Sequence, residues 1–189
     1  VRIVTPGTVV EEGMLQDDKN NYIACIYAQE STCGLAFADV STGEFHIVEK
    51  LSGDIQQEVI SEFSRFTPVE ILYNDGFLSY SEVHRFIKIR LPVCVGDVLK
   101  NEWYCPDEKT EREFFSQFQS ENPLPSSISV GKNALLGLFA YINDSYKNKT
   151  PRAVNFIVHE NNDYMELNLT TRRNLELTET MRSKERKGS

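Results

Sequence analysis

The feature that most limits the possible folds is a change of hydrophobic period near residue 52. Three β-rich runs precede that point, at residues 22–27, 32–40 and 44–49. The connections between the runs are of hairpin length, and Phe45 and Ile47 alternate with polar neighbours as they would in a strand with one buried face. The sequence therefore predicts three consecutive antiparallel strands.

After the change of period, apolar residues recur at three- and four-residue steps, at Ile55, Val59, Phe63 and Phe66. This spacing predicts an amphipathic helix, and Pro68 should end it because proline has no amide hydrogen for the helical hydrogen-bond ladder. The apolar run 69–73 follows directly. It is bounded by the turn sequence Asn74-Asp75-Gly76, which predicts a short buried strand.

The rest of the chain alternates between helical and extended patterns. We predict a short helix at 79–86, a strand at 87–92, a helix at 109–119, a long helix from Ser129, strands at 153–159 and 164–167, and a last helix at 170–181. An apolar stripe should hold the long helix against the sheet: Ala134, Leu135, Leu138, Phe139 and Ile142. The order predicts an α/β protein with a ribonuclease H-like mixed sheet, in which three antiparallel strands are extended by parallel strands and flanked by helices.

Charge and cysteine usage narrow the functional classes. The net charge is -8 over the whole chain. Residues 161–189 have a balance of +1, which leaves -9 on the first 160 residues and makes them a poor surface for phosphate backbones. The four cysteines and three histidines lack zinc-binding spacing, so we expect free thiols in a reducing cytoplasm and Cys25 as a small buried hydrophobe. No apolar run approaches the roughly 20 residues of a membrane span.

Three stretches carry a family resemblance. Residues 2–8 read Arg-Ile-Val-Thr-Pro-Gly-Thr, residues 38–45 read Ala-Asp-Val-Ser-Thr-Gly-Glu-Phe, and residues 171–177 read Thr-Arg-Arg-Asn-Leu-Glu-Leu. In this order and spacing they resemble the MutS family of DNA mismatch-repair proteins over essentially the whole chain, and the third stretch is the specific one. The resemblance implies a connector domain at residues 1–163 and the truncated beginning of a core/lever domain at 164–189.

The resemblance also implies a function. In this family the connector transmits conformational change between the mismatch-binding and ATPase regions and offers a docking surface to the repair protein MutL. The sequence Gly131-Lys132-Asn133 lacks the first glycine and the Ser or Thr of a P-loop. We therefore expect no catalysis and no cofactor in this fragment, which should be monomeric. ATP, magnesium and mismatched DNA would be bound by other domains of a dimeric full-length protein.

We place the docking surface for MutL on the predicted helix at 109–119. The candidate contact residues are Glu111, Glu113, Phe114 and Phe115. Helical spacing puts Phe114 and Phe118 on one face and Phe115 on another. Burial in the core is the alternative for these phenylalanines, and Trp103 and Tyr104 upstream either extend the surface or fill the core.

Three residues near the end of the chain are candidates for the domain junction: Asn168, Arg172 and Arg173. The family usually has Asp at the position of Asn168, and both residue types can cap a helix N-terminus. The two arginines could pair with acidic groups across the junction or reach DNA, and plain solvation is the alternative.

A metal-dependent nuclease of the ribonuclease H type is the alternative function. Such enzymes gather several carboxylates around two metal ions, and the candidate ligands here are Asp39, Glu70 and Asp144. Asp39 has a simpler explanation as a turn cap, because Ser41-Thr42-Gly43 follows it closely.

Overall fold

The computed structural model describes residues 21–50, 53–91, 94–116, 124, 128–145 and 155–159, all of which belong to one compact unit, Val1–His159. Six strands lie among these residues: β1 Tyr22–Gln29, β2 Thr32–Asp39, β3 Glu44–Lys50, β4 Glu70–Tyr73, β5 Val95–Val98 and β6 Asn155–His159. They form one sheet in the order β5-β4-β1-β2-β3-β6.

The sheet is mixed. Strands β1, β2 and β3 pair in antiparallel fashion, whereas β4 pairs with β1, β5 with β4 and β6 with β3 in parallel fashion. The predicted ribonuclease H-like sheet is therefore confirmed. The turn between β2 and β3 is closed by the amide of Gly43, which donates to the carbonyl of Asp39 at 2.9 Å. Gly43 has a φ of 73°, a left-handed conformation that glycine adopts without strain.

Five α-helices and one 3-10 helix are present in the described residues: α1 Ile55–Phe66, the 3-10 helix Asp75–Ser79, α2 Ser81–Arg90, α3 Asn101–Tyr104, α4 Glu108–Phe115 and α5 Val130–Ser145. Helix α1 confirms the helix predicted after the change of period. It is capped by the side chain of Asp54, which accepts from the amide of Gln57, and it ends at Thr67 in the left-handed conformation. None of the described helices is long and apolar enough to cross a membrane.

Alternation along the strands creates two hydrophobic cores, one on each face of the sheet. On β1, Ile23 and Cys25 lie in the core beneath α5, whereas Ala24 and Ile26 lie in the core beneath α1 and α2. Cys25 is fully buried, as predicted, and burial raises the pKa of its thiol. The stripe predicted on the long helix is buried in the first core, which confirms that α5 covers this face.

One predicted strand is wrong. Residues 87–90 form the last turn of α2, and the next strand is β5, a few residues later. Ile87 and Ile89 alternate with basic residues and therefore resemble a strand. Only Ile87 packs on the core, one helical turn after the buried Val83, while Ile89 is 65% exposed. The helical period therefore prevails over the alternating one.

The N-terminus of α5 is fixed against β2 and β3. Gly34 of β2 lies directly under it, and a Cβ at this position would overlap the carbonyl oxygen of Val130. The buried carboxylate of Glu49 accepts from the amide of Ser129 at 2.7 Å and, more weakly, from the amide of Gly131 at 3.4 Å. A strand carboxylate thus satisfies amide groups that the first turn of a helix leaves unpaired.

Candidate partner-binding surface

Helix α4, which carries the four predicted contact residues, is capped locally and anchored by one aromatic ring. The side chain of Asp107 accepts from the amide of Thr110 at 2.8 Å, and this hydrogen bond lowers the pKa of the Asp107 carboxyl. Phe114 is buried, and its ring meets that of Phe139 on α5 at 4.4 Å between centroids. The core alternative is therefore correct for Phe114. Phe115 is half-buried at the edge of the same core.

The two acidic residues predicted as contacts on α4 have different environments. Glu111 accepts from the ammonium of Lys132 on α5 at 2.9 Å, so its carboxylate joins the two helices. Glu113 has a side chain that is 67% exposed and lies 3.9 Å from Lys109 on the same helix. Of the two predicted acidic contacts, Glu113 is the one presented to solvent.

A groove of about 500 Å3 runs between α3, α4 and α5. Among the described residues, its lining is apolar at five positions: Trp103, Phe114, Leu136, Phe139 and Ala140. Three acidic residues also line it, namely Glu102, Asp107 and Glu113. The remaining lining residues are uncharged: Cys105, Pro106, Thr110 and Asn143. The groove therefore combines an apolar floor with acidic groups.

The electrostatic environment of this groove is negative. Residues 101–116 contain five acidic and two basic side chains. Glu102 lies 3.9 Å from Lys100, and both side chains are more than 70% exposed. An exposed pair at this distance contributes little, so it neutralises the groove only weakly. A cation arriving from another molecule would be attracted here.

Helix α3 is held in place by Tyr104. This side chain is fully buried beneath α5, and the thiol of Cys25 lies 3.9 Å from its hydroxyl. A Cβ on Gly137 of α5 would come within 2.8 Å of the Tyr104 ring, so the glycine allows the two helices to approach closely. Tyr104 is thus a core residue. Its neighbours Trp103 and Glu102 are left to line the groove.

Two of the candidate nuclease carboxylates, Asp39 and Glu70, lie on opposite faces of the sheet. In the strand register Asp39 lies opposite Tyr22, whose ring is on the α1 face of the sheet. Glu70 lies opposite Ile23 and accepts from the hydroxyl of Tyr141, on the α5 face, at 2.5 Å. Asp39 accepts from the amide of Ser41 at 2.9 Å, which is the turn cap that the sequence indicated. Among the described residues there is no cluster of three metal-ligating side chains.

Several sequence predictions fall outside the described residues. These are the junction candidates Asn168, Arg172 and Arg173, the elements predicted at 164–167 and 170–181, and Phe118. Conversely, the sequence did not indicate Glu102, Ala140 or Asn143 as parts of a surface. For Ala140 and Asn143 the only early signal was the helical spacing of α5, which reveals the buried stripe of this helix but not the neighbours of its outer side. Glu102, on α3, had no such signal.

Comparison with known proteins places these observations in one family. A family model described as MutS domain II matches residues 21–153. Proteins named DNA mismatch repair protein MutS match the whole chain, including those of Acetivibrio thermocellus at 35% identity and Clostridium botulinum strain Loch Maree at 33% identity. The chain spans 22% and 20% of the length of these two relatives.

A solved structure resembles part of the fold more distantly. It is the nuclease domain of the large terminase subunit of bacterial virus Sf6, with 13% identity, a TM-score of 0.39, and coverage of 73% of this chain and 64% of the other. A likeness this weak carries no argument about function.

Proposed function

Because this chain belongs to the MutS family, of which it contains domain II, we propose that it is a connector that relays conformational change and offers a docking surface to MutL. In the full-length protein it would act in the cytoplasm, between a mismatch-binding region and an ATPase region. ATP, magnesium and mismatched DNA would be held by those other regions of a dimer, and the fragment alone would be monomeric.

The relay function is supported by the construction of the sheet. A domain that passes movement from one neighbour to another must rotate as one body, because a soft core would absorb the displacement. Here both faces of the sheet carry a buried core, and α5 contacts β1, β2 and β3 together. Glu49 and Gly34 also fix the N-terminus of α5, so this face of the sheet and its helix form a single unit.

One observation supports the docking function: α4 is fixed to the core by a buried side chain and also presents other side chains to solvent. Phe114 fixes the helix to the core, while the neighbouring Phe115 is only partly buried and Glu113 extends into solvent. A rigid helix that presents an aromatic edge beside a charge loses little entropy on binding. This arrangement suits a protein partner better than a nucleic acid, because the local charge is negative.

Titration of a MutL protein into this chain, followed calorimetrically, tests the proposal. We expect saturable binding that Phe115→Ala or Glu113→Ala weakens by about fivefold or more, corresponding to the roughly 1 kcal/mol typical of a contributing contact. Ile89→Ala is the control, because Ile89 is an exposed apolar residue on α2, outside the proposed docking helix. Absence of binding, or equal weakening by the control, would refute the docking role.

A further inference from the structure

We infer that the groove between α3, α4 and α5 accepts an arginine side chain presented by a protein partner. The inference rests on the proposed docking function and adds the chemistry of the partner segment. It concerns the groove itself, which lies beside the exposed part of α4 and shares Glu113 with it.

The shape of the groove fits a long side chain with an apolar stem. Its volume of about 500 Å3 leaves room for one such side chain together with water. Trp103 and Ala140 provide apolar lining from α3 and α5. The methylene groups of arginine can lie along a surface of this kind while the guanidinium reaches the polar edge.

The charges select a cation. Glu102 and Glu113 enter the lining from two different helices, and Asp107 stands at the start of α4 between them. Asp107 uses one carboxylate oxygen for the amide of Thr110, and the carboxylates of the two glutamates add acceptors for an incoming donor. Their lysine neighbours are both 3.9 Å away and highly exposed, and a partner cation can displace such weak pairs.

Arginine fits this groove better than lysine does. Its planar guanidinium can stack on an indole ring and donate to two carboxylates at once, whereas an ammonium acts as a point charge. Trp103 is the only tryptophan of the chain, and it lines the groove together with both glutamates. A phosphate-bearing ligand is disfavoured because none of the described residues that line the groove is a lysine or an arginine.

A matched pair of peptides tests the inference without MutL. One is an acetylated pentapeptide with a central arginine, and the other has citrulline there, which keeps the shape and removes the charge. In heteronuclear NMR titrations of this chain, we expect the arginine peptide to shift the indole signal of Trp103 and the amide of Ala140. We expect the citrulline peptide to bind about tenfold more weakly, a loss of the size found for charged hydrogen bonds.

Variants separate the groove from general electrostatics. Glu102→Gln/Glu113→Gln should remove the difference between the two peptides and weaken MutL binding. Glu30→Gln/Glu82→Gln changes the charge equally at exposed positions outside the groove and outside α4, and should do neither. If MutL binds but the peptides do not differ, the groove inference fails and the docking function stands. If the peptides differ but MutL does not bind, the docking function fails and the arginine site stands.

Discussion

Removal of the Glu49 carboxylate should loosen the helix that covers one face of the sheet. The carboxylate is buried, and it accepts from the amide of Ser129 at 2.7 Å and from the hydroxyl of Ser129 and the amide of Gly131 at 3.4 Å each. These groups lie at the start of α5, where the helix dipole is positive. Substitution therefore affects both hydrogen bonding and charge at a single point.

The expected magnitude follows from these contacts. One short hydrogen bond to a charged group contributes about 2 kcal/mol, and a negative charge at a helix N-terminus adds about 0.5–1 kcal/mol. Glu49→Ala should therefore lower the free energy of unfolding by about 3 kcal/mol. Glu49→Gln keeps an oxygen acceptor for the Ser129 amide and should cost about 1 kcal/mol, because only the effect of the charge is lost.

Urea denaturation measures this difference directly. Far-ultraviolet circular dichroism follows the helices, and the fluorescence of Trp103, the single tryptophan, reports on the region next to α5. Glu30→Ala, at an exposed turn, serves as the control and should stay within about 0.5 kcal/mol of the parent chain. If Glu49→Ala were no more harmful than this control, the capping role of the carboxylate would be refuted.

Three further predictions concern the titration of His46, the turn cap at Asp39 and metal-dependent DNA cleavage. Burial lowers the pKa of His46, Glu44 opposes this shift and Arg65 adds to it, so the folded pKa lies below that of the unfolded chain. The stability that neutral His46 contributes is therefore present above about pH 6.5 and is lost as the pH falls through the folded pKa. Between about pH 7.5 and 5.5, the urea midpoint should drop more in the parent chain than in His46→Gln. Equal drops would contradict the shift. Asp39→Ala should cost about 1 kcal/mol through loss of the turn cap, and magnesium or manganese should support no DNA cleavage. Cleavage abolished by this substitution would establish the nuclease alternative instead.

Hydrophobic periodicity was enough to predict the elements that pack against their neighbours in sequence. Strands β1 to β3 pair through short turns, and α1 has one apolar face between a capping Asp54 and Pro68, so local rules specify both. The same rules failed at 87–90. There, the apolar residues fit both the alternating period of a strand and the period of a helix, and only the packing of Ile87 beside Val83 selects the helix.

The groove could not be predicted, because three separate segments build it. Trp103, Glu113 and Ala140 belong to three different helices, and no local pattern relates them. Their proximity depends on Tyr104 fitting against Gly137 and on Phe114 meeting Phe139, contacts that only the assembled sheet brings about. The helix that carries Glu111 and Glu113 was predicted correctly. Only the structure shows that the carboxylate of Glu111 binds Lys132 whereas that of Glu113 is exposed.

Hydrogen–deuterium exchange of this chain with and without a MutL protein tests the central claim most directly. The account predicts slower exchange in residues 101–116 and in the part of α5 that lines the groove, with α2 and β5 unchanged. Protection confined to α1 and α2, or no protection at saturating MutL, would contradict a connector that docks its partner through α4.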